Sequence, residues 1–87
     1  MTYLIRWASP ARRAIEITLP EGVATAVWEF ANGALAENPQ RVGKRLAREL
    51  AGYWSARRGQ YRVIYAIDDE TATVTIMTVD HRRDVYH

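Results

Sequence analysis

No cysteine occurs in these 87 residues, which excludes a disulfide framework and any thiolate metal site. Histidine is scarce as well. His81 and His87 stand six positions apart near the C-terminal end and make a poor metal site by themselves, so neither a metal nor a cofactor is expected. No apolar run approaches the roughly 20 residues that a bilayer span requires. The opening MTYLIRWASP lacks the long apolar centre of a secretory signal, and the expectation is a cytoplasmic protein with no membrane partner. Repeats, low-complexity tracts and linker-like segments are absent too, so residues 1–87 are read as one domain whose fold rests on packing alone.

What is present is a hydrophobic fraction of 48% beside 25% charged residues, too apolar for intrinsic disorder. The net charge is only +2, but charge is segregated along the chain. Between Arg41 and Arg62 seven cations (Arg41, Lys44, Arg45, Arg48, Arg57, Arg58 and Arg62) meet one anion, Glu49, whereas residues 16–37 hold four glutamates and no cation. Such segregation creates a local positive potential in a nearly balanced molecule, and the usual partner is a polyanion.

The segment Thr2 to Ala8 is rich in β-formers, with Tyr3, Ile5 and Trp7 on one side of an extended chain, and predicts a first strand. Ser9 suits an N-cap and Pro10 the first helical position, so a short helix starts there and ends at Leu19-Pro20. Val23, Val27, Phe30, Ala31, Ala34 and Leu35 recur at helical spacing and predict a second, longer helix, stopped at Asn38-Pro39. Gly33 inside it predicts local fraying or close packing. QRVGKRLARELAG reads as a basic connection with weak helical character. Strands follow at Tyr53 to Arg57 and Tyr61 to Asp68, then at TATVTIMTV after the polar turn DDET. The expected fold class is α+β, of order β-α-α-β-β-β: a mostly antiparallel four-stranded sheet with two N-terminal helices packed on it.

Arg57, Arg58 and Arg62 crowd the turn between two otherwise apolar strands. By alternation Trp54 and Ala56 face one way and Ser55 and Arg57 the other, while Val63, Tyr65 and Ile67 oppose Arg62, Ile64 and Ala66. Helices covering one face therefore leave Arg57 and Arg62 to project from the other. A fold needs only the aromatic and β-branched members of this stretch, so the arginines are either solvated surface charge or a site for something strongly negative.

The stretch ELAGYWSARRGQYRVIYAIDDETATVTIMTVDHRRDVYH, with its GYW start, YRVIY strand, acidic DDE turn and HRRDVY ending, resembles the C-terminal half of the RelE-type toxins of the RelE/ParE superfamily. ENPQRVGKRLARELAG resembles the family's helix-to-strand connection. The resemblance implies a bacterial toxin of a type II toxin-antitoxin system: an endoribonuclease that cleaves messenger RNA in the A site of the 70S ribosome and inhibits translation. It also implies that a RelB-like cognate antitoxin holds it inactive in a hetero-oligomeric complex.

By resemblance Arg62 matches the phosphate-stabilising arginine, Arg57 a cation on the preceding strand, Arg82 the arginine at the leaving group and Tyr86 the near-terminal general base. Guanidiniums suit a phosphate that gathers charge as a 2′-hydroxyl attacks it. A phenol near pKa 10 acts as a base only where neighbouring cations lower that value. Beside Arg82 stands His81, a rival acid or base, and Glu49 is another. Lys44, Arg45, Arg58 and Arg83 are expected to contact RNA phosphates. One departure is Ser55, which stands where some members carry a cation. Two further readings remain open at this point: a ParE-like DNA gyrase inhibitor that acts by binding, and a catalytically inactive antitoxin-binding module.

Overall fold

The structure, a computed structural model, describes residues 2–81. Strand β1 (Leu4–Trp7) leads into helix α1 (Ser9–Arg13), which widens into a π-helical turn over Ala14–Thr18. Pro10 opens α1 as its fixed φ allows, but Ser9 is not the cap: Ala8 holds the N-cap position, and no side chain bonds the first amides. Leu19 is extended, the conformation forced on a residue before proline, and it separates α1 from helix α2 (Glu21–Phe30). A second π-helical turn, Ala31–Leu35, continues α2 through Gly33. A methyl group at Gly33 would meet nothing within 4 Å, so the glycine loosens the helix rather than admitting a close neighbour. Of the expected apolar stripe, Val27, Ala31 and Leu35 are buried, Val23 and Phe30 half-buried, and Ala34 exposed.

The basic connection is where sequence and structure part. It forms a one-turn helix α3 (Pro39–Val42), a two-residue strand β2 (Lys44–Arg45) and a 3-10 turn at Arg48–Leu50. Strands β3 (Trp54–Arg58), β4 (Tyr61–Asp68) and β5 (Thr73–His81) follow as antiparallel neighbours. The sheet order is β1-β5-β4-β3-β2. It contains the four expected strands, extended by β2 at one edge, and its first strand runs parallel to its last.

The helices cover one face. Val27, Leu35, Ala56, Val63, Tyr65, Val74 and Ile76 are essentially inaccessible and form its core. Burying each of the larger aliphatic side chains stabilises the fold by roughly 1.5–3 kcal/mol. The Tyr65 hydroxyl donates to the Pro39 carbonyl at 2.6 Å, tying the sheet centre to α3. At the far end the Asp68 carboxylate accepts from the amides of Glu70 and Thr71, at 3.0 and 3.3 Å, and closes the β4–β5 turn. No helix among the described residues is long and apolar enough to cross a membrane.

Candidate active site

The pleat decides which cations reach the uncovered face. Ala56 and Val63 are Cα partners and both point into the core, so their neighbours Arg57 and Arg62, also partners, point outward together. Both are exposed. Directly opposed residues on one face have Cβ atoms about 4.5–5.5 Å apart, close enough for two guanidiniums to grip one phosphate.

Strand β5 adds Asp80, the Cα partner of Arg62. Arg62 Nη2 donates to Asp80 Oδ2 at 3.1 Å, and both side chains remain about half exposed. Asp80 reaches this face through a β-bulge. Register shifts between Ile64 and Tyr65, which pair with Thr78 and Ile76, so Met77 is the extra residue. The inserted residue reverses the alternation of everything after it. Thr73 and Thr75 face outward, yet Val79 and His81 turn inward and Asp80 outward.

For His81 the consequence is burial. The ring is only 4% exposed, and among the described residues its Nε2 has no hydrogen-bond partner. It lies opposite Tyr61 on the helix-covered side, away from Arg57 and Arg62, which does not suit a proton shuttle on the open face.

The same parity sorts the remaining expected RNA contacts. Lys44 pairs with Ser55 and shares the open face with Arg57, so a cation lies directly across from the place where Ser55 brings none. Arg45 pairs with Trp54 and stacks over its ring at 5.3 Å on the covered side. There it borders a cavity of about 290 Å³ lined also by Gln40, Tyr53 and Asp69. Arg58 lies over the Phe30 ring at 4.7 Å and reaches the carbonyls of Arg57 and Val42. It is therefore spent on packing α2 and α3 against the sheet. Glu49 is exposed in the 3-10 turn. Arg82, Arg83 and Tyr86 lie outside the described residues.

Two tyrosines near the covered end resist ionisation. Burial pushes the Tyr65 phenol up to about 12, and raises that of Tyr61 as well, in each case against a smaller downward pull from Arg58. Neither serves as a base at neutral pH. Arg6 and Asp80 were not anticipated on the open face. Arg6 pairs with Thr75 and projects there from β1, a placement that its alternation with the half-buried Trp7 already encodes. Asp80 had no such signal, because the bulge is silent in the sequence.

An exposed cationic row on a small sheet, backed by helices, defines the class: a small α+β protein with a positively charged open face. A model of the ParE toxin of type II toxin-antitoxin systems matches residues 29–86. Toxin RelG of Mycobacterium tuberculosis is 55% identical over 86 residues, covering 99% of this chain and 98% of that protein. Toxin RelE of the same organism is 50% identical over 68 residues, 78% of this chain and 70% of that protein. The crystal structure of the RelBE2 toxin-antitoxin complex from M. tuberculosis superposes with a TM-score of 0.90 at 54% identity, covering 94% of this chain and all of that one. The isolated Escherichia coli RelE toxin, at 19% identity and a TM-score of 0.74 over 97% of this chain and 90% of that one, shares the fold. The chain belongs to the RelE/ParE family of toxins of type II toxin-antitoxin systems.

Proposed function

We propose that this toxin cleaves messenger RNA on the ribosome and that the open end of β3, β4 and β5 holds the scissile phosphate. The observation that carries the reading is the placement of Arg57 and Arg62 as exposed cross-strand partners. In the reaction a base takes the 2′-hydroxyl proton, the 2′-oxygen bonds to phosphorus, and the 5′-oxygen leaves with a proton, giving a 2′,3′-cyclic phosphate and a 5′-hydroxyl. Negative charge on the non-bridging oxygens rises in between. Arg62 and Arg57 meet that charge, with Lys44 supplying the positive potential that Ser55 does not.

Tyr86 is proposed as the base and Arg82 as the group that stabilises the leaving oxygen, both carried over from the motif HRRDVY. A guanidinium is a poor proton donor at its high pKa, so electrostatic stabilisation is the role assigned to Arg82. Arg83 is proposed to contact RNA phosphates. A cognate antitoxin partner follows from the same family membership, and in the similar RelBE2 structure the toxin is in complex with its antitoxin.

Primer extension on mRNA from programmed ribosomes exposed to the purified protein tests substrate, position and activity together. Cuts within the A-site codon are expected from the wild type; Arg62→Ala should lower the rate at least tenfold, since one lost donor costs on the order of 2.7–4 kcal/mol of barrier, and Tyr86→Phe at least tenfold as well, since a positioned general base contributes typically about 10²–10⁴-fold. Undiminished cleavage by both variants defeats the assignment. The matching ParE model favours a second reading, inhibition of DNA gyrase by binding. Filamentation and DNA-damage signalling on induction, without fragmented transcripts, would establish that reading instead.

A further inference from the structure

We propose that Asp80 is a resident counter-ion of the phosphate site, and that binding RNA exchanges its carboxylate for the phosphate on Arg62. The inference rests on the nuclease reading above and adds a control on affinity to it.

Arg62 and Asp80 are cross-strand partners joined by one contact, Nη2 to Oδ2 at 3.1 Å. The pair is accessible, with side-chain exposures of 52% and 42%, so water screens it and its own contribution is small. A single contact leaves most of the guanidinium's donors open. On the other flank of Arg62 stands Arg57, and no carboxylate pairs with Arg57 among the described residues. A phosphodiester carries the same single charge as the carboxylate but can bridge both guanidiniums, whereas Asp80 approaches only from the β5 side. The phosphate therefore displaces the carboxylate at modest cost. The bulge at Met77 makes the arrangement possible, since without it Asp80 would face the core and His81 the open face.

The carboxylate lowers the affinity for any phosphate that the rest of the complex does not hold in place. It weakens ground state and transition state alike, because in both the Arg62–Asp80 pair is already broken. Removing it should lower KM and leave kcat nearly unchanged.

The test is a double-mutant cycle with Arg62→Ala, reading the Kd of a short RNA whose 2′-hydroxyls are replaced by hydrogen, together with kcat and KM on programmed ribosomes. Asp80→Asn, nearly isosteric and exposed, should tighten binding roughly two- to fivefold, by a factor that shrinks as salt is raised. Asp80→Glu should stay near wild type. In the Arg62→Ala background the same Asp80→Asn change should have little effect, which separates the specific pair from a general gain of positive charge. Unchanged or weaker binding by Asp80→Asn, an equal gain in the Arg62→Ala background, or a fall in kcat each overturns the proposal. Undiminished cleavage by both Arg62→Ala and Tyr86→Phe would instead defeat the nuclease site itself.

Discussion

Arg57 and Arg62 are Cα partners across the β3–β4 hairpin, and both point away from the helices. Like charges placed directly opposite on one sheet face repel and weaken the pairing. Asp80 relieves part of that repulsion from the Arg62 side. The hairpin thus retains a small electrostatic cost at the place where the proposed chemistry needs positive charge.

Removing one member should expose that cost. Arg57→Ala is expected to raise stability by up to about 0.5 kcal/mol, measured by urea unfolding at low salt, while lowering mRNA cleavage. Loss of both stability and activity would mean that Arg57 packs rather than repels.

Arg58 should behave in the opposite way. Its guanidinium lies over Phe30 at 4.7 Å, and such contacts contribute about 0.5–1 kcal/mol at partly exposed sites. Arg58→Ala should lower the unfolding free energy by that order, with a smaller effect on RNA affinity than Arg57→Ala, as compared by binding to an RNA oligonucleotide.

Gly43 faces a crowded wall. A methyl group there would collide with the Tyr65 hydroxyl and stand 2.8 Å from the Ser55 carbonyl oxygen. Gly43→Ala should cost about 1–3 kcal/mol through overpacking, seen as a lower melting temperature. It should also loosen β2, whose Lys44 is held opposite Ser55.

Alkaline pH should destabilise the protein through Tyr65. Burial pushes its phenol up to about 12, so the native state keeps a proton that the unfolded chain, near 10, has lost. Stability attributable to this group is intact below pH 10 and falls as pH rises towards 12, by up to roughly 2–3 kcal/mol. Tyr65→Phe should flatten that slope. At neutral pH the same variant should lose about 1–3 kcal/mol, because the Pro39 carbonyl is left buried without its donor. An unchanged alkaline slope would assign it to other groups.

Much of this arrangement is legible in the residues. Alternation alone places Arg57 and Arg62 on one face, the proline positions bracket α1, and the spacing of Val27, Ala31 and Leu35 gives the buried side of α2. Arg58 shares its parity with Ala56, so the same rule applied one residue further would have moved it to the covered side. Other features carry no local signal. A two-residue strand such as β2 is too short to show a period, and the β1–β5 pairing is set by tertiary packing between the two ends of the fold. The bulge at Met77 reverses the faces of Asp80 and His81 without any glycine or proline to mark it.

Because β5 lies between β1 and β4, it joins the first strand to the rest of the sheet. A fragment that stops before Thr73 leaves β1 without its parallel neighbour and β4 with a bare edge, and it lacks Asp80 altogether. Proteolysis or premature termination upstream of that point should yield products that do not fold, so the sheet face that carries Arg57 and Arg62 is assembled only once β5 has been made.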